Sequence, residues 1–157
     1  MRGQIRRDEV ESAVLKAPHL TGLRQFPATE ISVSEARDWA RSLLSLGVPS
    51  PVLDDVLLLL GEVVTNAITH SNSGRAATGK VTVRVVRTGR TVQVQVTDAG
   101  SSTSVPAVRA PSLDDDTGRG LWMVDMLADA WGFEHNENDT SAWFRLTGPE
   151  RQGDGRM

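Results

Sequence analysis

The sequence predicts an α+β fold in which helices cover one face of an antiparallel or mixed sheet. Two neighbouring segments, KVTVRVV and TVQVQVTD, alternate apolar and polar residues with a period of two, as the strands of a β-hairpin do. Segments 32–47, 49–71 and 118–130 instead repeat their apolar residues at the spacing of amphipathic helices. Strands and helices in this order indicate a two-layer α/β sandwich.

A strand and a helix open the predicted domain. LRQFPATE (23–30) is a strand that runs into a loop, and segment 32–47 is a helix that ends at Gly47. Ser32 or Ser34 caps this helix, because a serine hydroxyl can accept a hydrogen bond from a free N–H group of the first turn. The apolar residues that we expect to face the sheet are Val33, Ala36, Ala40, Leu43 and Leu44.

The second helix carries the most informative pattern of the sequence. Pro49 and Pro51 open it, because proline suits the first helical turn, and it runs to His70 or Ser71. At 100° per residue, its sheet-facing side is Leu53, Val56, Leu57, Leu60, Val64, Ala67 and Ile68. The opposite side carries Asp55, Glu62, Asn66 and Thr69. Asn is a poor interior helix former, so this polar stripe is either a solvated face or the wall of a binding site.

A long loop, a helix and two strands follow the hairpin. The loop runs from Ala99 to about Thr117, and a loop of this length inside a compact domain indicates a functional lid or a disordered segment. The helix over 118–130 has its apolar residues at helical spacing, and WGFEHNEN and TSAWFRLTG form the last two strands. The apolar residues of that helix are Leu121, Val124, Leu127 and Ala128.

Length and composition limit the classes of function. A chain of 157 residues fits one domain, which we place at 23–147 between an N-terminal extension (1–22) and a C-terminal tail (148–157). The absence of cysteine excludes disulfides, thiolate zinc sites and cysteine nucleophiles. A net charge of -3 gives no electrostatic reason to expect a nucleic acid or an anionic membrane as partner. Without a signal peptide or an apolar run of transmembrane length, we expect a soluble, cytoplasmic protein.

Three other segments end in loops that could converge on the polar stripe. Asp98 ends a strand, where its carboxylate can accept an exocyclic amine, and Gly100 permits a backbone turn. Gly118 and Gly120 flank the start of a helix, where free N–H groups favour anions. Thr140 begins the last strand. Each segment also has an ordinary explanation: a turn-forming aspartate, a flexible loop with a helix cap, and a strand residue.

The order and spacing of these segments resemble the GHKL ATPases, the superfamily of gyrase, heat-shock chaperone, histidine kinase and MutL nucleotide domains. LLLLGEVVTNAITHS resembles the N-box helix, VTDAG the first glycine box, TGRGLWMVDMLAD the second, and DTSAWFRL the start of the last box. The resemblance covers roughly residues 24–147 and implies the Bergerat ATP-binding fold. Within the superfamily, the sequence looks like the small stand-alone ATP-binding proteins related to anti-sigma-factor serine kinases, which are abundant in actinobacteria.

The resemblance implies a role for each motif residue. Asn66 would bind a Mg²⁺ ion that bridges the nucleotide phosphates, and Glu62 would act as a general base or orient a metal-bound water. Asp98 would accept a hydrogen bond from the adenine amine, and Gly100 would let the base approach. Thr140 would close the adenine side of the site. The residues of the second glycine box that would bind the nucleotide are Gly118, Arg119, Gly120 and Leu121.

The sequence departs from the family pattern at three places. Ser102 stands where the first glycine box usually has its second glycine, and Asp139 stands where a glycine usually precedes the threonine of the last box. Asp114–Asp116 brings negative charge close to the phosphate site, where it would repel ATP unless Mg²⁺ or loop motion intervenes. Arg119 would offset part of this repulsion.

Three functions are consistent with the resemblance. The first is a serine/threonine protein kinase that uses Mg·ATP to phosphorylate a partner of the anti-sigma-antagonist type, with Glu62 activating the acceptor hydroxyl. The second is a regulatory module that holds ATP or a protein partner, such as a sigma-factor-like protein, without catalysing transfer. The third is a degenerate fold used only for protein interaction, against which Glu62, Asn66 and Asp98 argue. A homodimer is compatible with all three.

Overall fold

The computed structural model describes residues 20–70, 79–98, 116–135 and 139–149. In chain order the elements are β1 (Leu20–Pro27), α1 (Ile31–Leu44), α2 (Ser50–His70), β2 (Lys80–Thr88), β3 (Thr91–Asp98), α3 (Asp116–Leu127), β4 (Ala130–His135) and β5 (Thr140–Thr147). Within these residues the strands form a single sheet in the order β1-β2-β3-β5-β4, and each neighbouring pair is antiparallel. The predicted fold class, an α+β two-layer sandwich, is confirmed.

The start of α1 differs from the prediction. The helix begins at Ile31, and its N-cap is Glu30, whose side chain makes no capping hydrogen bond. Ser32 is fully buried, and its hydroxyl donates a hydrogen bond to the carbonyl of Pro27 at the end of β1. The predicted cap at Ser32 or Ser34 is therefore wrong. The Ser32 hydroxyl instead satisfies a strand carbonyl, which fixes α1 against the sheet.

The β2–β3 hairpin forms where the alternating pattern predicts it. Two residues, Gly89 and Arg90, connect the strands, and Gly89 has a φ of +59°. No non-glycine residue among the described ones has a positive φ, so Arg90 does not. Glycine with positive φ at the first turn position, followed by a residue with negative φ, is the pattern of a type II′ turn. This turn suits the right-handed twist of the two strands and so fixes their register.

The core lies between the sheet and the helices. On β3, Val92, Val94 and Val96 alternate with half-buried polar residues, so one face of the strand points into the core. The predicted apolar face of α2 is confirmed, with Ile68 half-buried at its margin. Three further apolar residues of α2 are also buried: Val52, Leu59 and Val63. They are buried because α1 and α3 flank α2, so the helix is covered on more sides than a helix that contacts only a sheet.

The third helix is shifted relative to its prediction. It spans Asp116–Leu127 rather than 118–130, and Ala130 already belongs to β4. Val124 and Ala128 lie in the core as predicted, whereas Leu127 is exposed. No helix among the described residues is long and apolar enough to span a membrane.

Phe144 should be essential for stability, because its side chain is fully buried in the middle of β5. Phe144→Ala should lower the free energy of unfolding by about 3–5 kcal/mol, the usual cost of deleting a buried aromatic ring. Denaturant unfolding followed by circular dichroism measures this. Leu46→Ala is the matched control, since Leu46 is fully exposed and its truncation should change stability by less than about 0.5 kcal/mol. Equal effects of the two variants would contradict this description of the core.

Candidate functional site

Two of the predicted site residues lie opposite each other at one end of the sheet. β3 ends at Asp98, β5 begins at Thr140, and their Cα atoms are register partners. The period of two places Asp98 on the same face of β3 as Val94 and Val96, which is the face that the helices cover. Thr140 is 8% exposed and Asp98 is half-buried. We call this end of the sandwich the Asp98–Thr140 end, and the opposite end, where Gly89 lies, the hairpin end.

α2 extends from the hairpin end toward the Asp98–Thr140 end. Near its start, Val52 packs against Gly148, where an added Cβ atom would lie 3.4 Å from the Val52 methyl carbon. Gly148 itself is hydrogen-bonded to the carbonyl of Arg90 in the hairpin turn. Asn66 lies fourteen residues further along, which is about 21 Å at 1.5 Å per residue. This nearly equals the length of β3, about 23 Å, so α2 carries Glu62 and Asn66 toward the Asp98–Thr140 end.

Asn66 is buried rather than solvated. Its side chain is 8% exposed, although the helical periodicity places it opposite the sheet-facing residues. No hydrogen bond joins its amide to another residue in the described part of the chain. Its amide oxygen and nitrogen are not among the described polar atoms that are fully buried without a partner, so they keep access to solvent. Asn is also a poor helix former in a helix interior. The solvated-face interpretation is therefore wrong for the bulk of the Asn66 side chain, whose amide stays open to a partner from solution.

Glu62 shares the polar stripe with Asn66. The two residues are four positions apart, so their side chains project from the same side of α2 about one turn from each other. Glu62 is half-buried, which leaves its carboxylate accessible from solvent. A carboxylate and a carboxamide oxygen on one helix face are hard oxygen donors, suited to Mg²⁺ or to a metal-bound water.

α3 also begins near the Asp98–Thr140 end. At its other terminus, the backbone N–H of Asp129 donates to the carbonyl of Arg145 at 2.9 Å, and β4 then runs from the pair Ala130–Arg145 to the pair His135–Thr140. The chain therefore turns back on itself between α3 and β4. Over its 12 residues α3 is about 18 Å long, close to the length of β4, so its first turn returns toward Thr140.

The second glycine box lies inside α3 rather than before it. The helix begins at Asp116, so Gly118 is its third residue and Gly120 its fifth. The N–H of Gly118 belongs to the first turn, where backbone donors have no intrahelical partner, whereas the N–H of Gly120 lies within the helical ladder. The prediction that the two glycines flank the helix start is therefore wrong by two residues. Arg119 and Leu121 follow in the same backbone segment, and their side chains lie outside the described residues.

These elements match a known family of nucleotide-binding domains. The sequence profile of the histidine kinase-like ATPase domain matches residues 26–146, which is most of the chain. The chain belongs to the histidine kinase-like ATPase domain family. The GHKL resemblance of the four sequence boxes is thereby confirmed at the level of the family. No curated protein matches the sequence at a significant level.

The ATPase domain has the fold of a solved structure. It is similar to the crystal structure of the RsbU and RsbW domains of Rv1364c from Mycobacterium tuberculosis, with 21% sequence identity and a TM-score of 0.60. The match covers 82% of this chain and 33% of that chain, so the ATPase domain spans about a third of its length. This likeness supports the fold assignment.

Some predicted features of the ATPase domain lie outside the described residues. These are Gly100 and Ser102 of the first glycine box, nearly all of the predicted loop from Ala99 to Thr117, and the acidic residues Asp114 and Asp115. Asp139, the acidic substitution in the last box, is described and half-buried directly before Thr140. The described residues contain no cluster of three or more His, Asp or Glu side chains that could hold a metal ion by themselves.

A cross-strand contact that the sequence patterns do not predict supports the Asp98–Thr140 pair. On the opposite face of the sheet, the hydroxyls of Thr97 and Ser141 are hydrogen-bonded at 2.8 Å, and Ser141 is buried. Each residue is the sequence neighbour of one member of the pair. The contact could not be predicted because cross-strand neighbours depend on the register of β3 and β5, which are separated by 41 residues of chain.

A cavity of about 380 Å³ lies at the hairpin end of the ATPase domain. Thr88, Gln93 and Thr147 line it, and all three belong to the hairpin end of the sheet. Gln93 lies between Val92 and Val94 on β3, so it points away from the helices. The cavity is thus separated from Asp98 by both position along the strand and face of the sheet, and it is not part of the candidate site.

Proposed function

We propose that this ATPase domain binds Mg·ATP at the Asp98–Thr140 end and acts as a serine/threonine protein kinase of the anti-sigma factor type. The observation that carries the proposal is Asn66, a largely buried polar residue on an apolar helix, whose amide makes no hydrogen bond to a described residue and lies toward the same end as Asp98 and Thr140. A nucleotide with its metal would supply a partner for this amide. The family match supports ATP as the nucleotide.

The adenine would bind between the sheet residues. The carboxylate of Asp98 is an acceptor-only group when ionised, so it suits the exocyclic amine of adenine and not the carbonyl that guanine carries at the same position. The Thr140 hydroxyl can donate to a ring nitrogen directly or through a water. The Thr97–Ser141 hydrogen bond would hold the two strands at the spacing that this contact requires.

The phosphates would lie between α2 and the start of α3. Backbone N–H groups of the first turn of α3, including that of Gly118, point out of the helix and favour an anion. Asn66 would hold Mg²⁺, which supplies positive charge to the phosphate oxygens when it is bound. Glu62 is then placed to accept the proton of an attacking hydroxyl, because an ionised carboxylate can act as a general base.

The protein substrate is proposed as an anti-sigma-antagonist partner. Support comes from the motif resemblance to anti-sigma-factor serine kinases and from the fold likeness to a structure that contains an RsbW domain. The test is incubation of the domain with Mg²⁺, ATP labelled at the γ-phosphate, and candidate antagonist proteins encoded near its gene. Transfer of label to a serine or threonine of one candidate is the expected result. Absence of both transfer and hydrolysis, with ATP bound, would contradict the kinase assignment.

A non-catalytic ATP-binding regulatory module is the second candidate function. It is favoured by Asp139, a half-buried carboxylate directly before Thr140 where the family pattern has glycine. A negative charge at that position would weaken the binding of a polyanionic nucleotide. Such a module would act through ATP-dependent binding of its partner, including a sigma-factor-like protein or a second copy of the chain.

Asn66→Ala should separate the ligand role of Asn66 from a structural role. Affinity for Mg·ATP should fall by at least about ten-fold, because a metal ligand is lost. The free energy of unfolding should stay the same or rise by up to about 0.7 kcal/mol, since Ala is the better helix former. Calorimetric titration and thermal unfolding measure the two quantities.

Thr65→Ala is the matched control for Asn66→Ala, because Thr65 is exposed on the same helix and does not belong to the polar stripe. It should leave the affinity for Mg·ATP unchanged. If Asn66→Ala instead destabilised the fold by more than about 1 kcal/mol, the amide would be a structural group and the ligand role would be wrong.

A further inference from the structure

α3 is attached to the sheet near its C-terminal end. Val124 packs into the core, and the backbone N–H of Ala128 donates to the carbonyl of Val124. The backbone N–H of Asp129 donates to the carbonyl of Arg145 on β5, which ties the end of the helix to the sheet. A side-chain contact adds to these: the indole N–H of Trp131 donates a hydrogen bond to the Asp125 carboxylate at 2.9 Å. This bond crosses from the last turns of α3 to the first half of β4.

The indole of Trp131 is held in a fixed orientation. Trp131 is the register partner of Phe144, which is fully buried, and its ring contacts the core. It also packs edge-to-face on Phe133, with ring centroids 5.8 Å apart and planes at 81°. Because the indole is fixed in this way, its N–H points to one position. The Asp125 carboxylate must lie at that position to accept the hydrogen bond, and this constrains where α3 lies.

We propose that Asp125 and Trp131 are positioning residues for phosphate binding. Their hydrogen bond sets the angle of α3 and thereby the place of the backbone N–H groups at its start; this inference rests on the proposed function. Gly118 is seven residues before Asp125, about 10 Å along the helix. A tilt of 10° about Asp125 would move the first turn by about 2 Å, which exceeds the range of about 0.5 Å over which a hydrogen bond keeps good length.

The inference predicts a loss that is specific for phosphates. Trp131→Phe keeps the aromatic packing and removes only the N–H donor. Affinity for ATP and ADP should fall about ten-fold, the effect of losing one hydrogen bond to a charged group. Affinity for adenosine should stay within about two-fold, because the adenine contacts come from the strand residues Asp98 and Thr140 and not from α3.

Variants of the acceptor provide the rescue test. Asp125→Asn keeps an oxygen that can accept from the indole and should bind ATP nearly as the parent does. Asp125→Ala removes the acceptor and should reproduce the loss seen with Trp131→Phe. Because Asp125 is half-buried on the helix, its replacement tests the inference even if Trp131→Phe does not fold.

Trp143→Phe is the control for Trp131→Phe. Trp143 lies on the neighbouring strand, is 6% exposed, and makes no side-chain hydrogen bond within the described residues. This variant should weaken ATP and adenosine binding to the same extent, if at all. The inference would be overturned if Trp131→Phe lost affinity for ATP and adenosine equally. It would also be overturned if both Trp131→Phe and Asp125→Ala bound ATP as the parent does.

Hydrogen exchange measured without nucleotide tests whether the Asp125–Trp131 hydrogen bond positions α3, independently of the proposed function. Backbone amides of α3 over 122–127 should exchange faster in Trp131→Phe and Asp125→Ala than in the parent, while those of α2 keep their rates. Unchanged exchange in α3 would overturn the inference whether or not the domain binds ATP. A parent that binds neither ATP nor adenosine would instead refute the proposed function, while the exchange rates still show whether the bond positions α3.

Discussion

Glu62→Gln should reduce phosphate transfer by about 10²–10⁴-fold, the contribution of one acid–base group, while ATP affinity stays within a few-fold of the parent. The substitution keeps the size and hydrogen-bonding capacity of the side chain and removes its ability to take a proton. Glu62 lies one turn before Asn66 on the same face of α2, so in the proposed site the γ-phosphate would lie close to Glu62 when Asn66 holds the metal. On this proposal, binding and transfer depend on different atoms of the site.

Transfer of labelled phosphate and calorimetric titration with Mg·ATP, measured on the same protein, test this separation. Glu35→Gln is the matched control, since Glu35 is an exposed glutamate on α1 and its replacement should affect neither quantity. Transfer by Glu62→Gln at the parental rate would refute the base assignment. A large loss of ATP affinity in the same variant would show that Glu62 acts in binding instead.

Asp98→Asn should weaken ATP and ADP binding alike, by about 10–150-fold, which corresponds to a hydrogen bond to a charged group of about 1.5–3 kcal/mol. In the proposed site the carboxylate accepts a hydrogen bond from the adenine amine, and the amide that replaces it would present a donor to the same amine in one of its two orientations. Because the adenine contact does not involve the metal, the loss should be the same with and without Mg²⁺. Asn66→Ala, in contrast, should affect Mg·ATP selectively.

Calorimetric titration of both nucleotides into Asp98→Asn measures this loss. Asp54→Asn serves as the control, because Asp54 is exposed on α2 and lies at the hairpin end. Parental affinity of Asp98→Asn for both nucleotides would remove Asp98 from the adenine site. A loss of affinity for Mg·ATP but not for ADP would show that Asp98 acts near the phosphates and not at the adenine.

Local patterns predicted the elements of the fold well. The strict alternation in β2 and β3, with a Gly-containing turn between them, leaves little freedom in where the hairpin begins and ends. The apolar face of α2 was also predictable, because helical periodicity decides which residues face the sheet. The extra burial of Leu59 and Val63 was not, since it comes from α1 and α3, whose placement is a tertiary property.

The candidate site, like the fold, has some features that local patterns predict and others that depend on tertiary packing. Glu62 and Asn66 could be singled out because a polar stripe on an apolar helix conflicts with local preference. The burial of Asn66 could not be predicted, because periodicity places a residue on a face and says nothing of what covers that face. The start of α3 at Asp116 was missed since two glycines suggested a loop, and packing of Val124 and the bond to Trp131 stabilise the helix beyond its intrinsic propensity.

An NMR titration of ¹⁵N-labelled protein with Mg·ATP shows whether ATP binds at the Asp98–Thr140 end. The largest chemical-shift changes should occur at the side-chain amide of Asn66 and the backbone amides of Asp98 and Thr140. The backbone amides of Gly89 and Gly148, at the hairpin end, should not move. No shift at saturating Mg·ATP, or changes centred on Gly89 and Gly148, would show that ATP does not bind at the Asp98–Thr140 end.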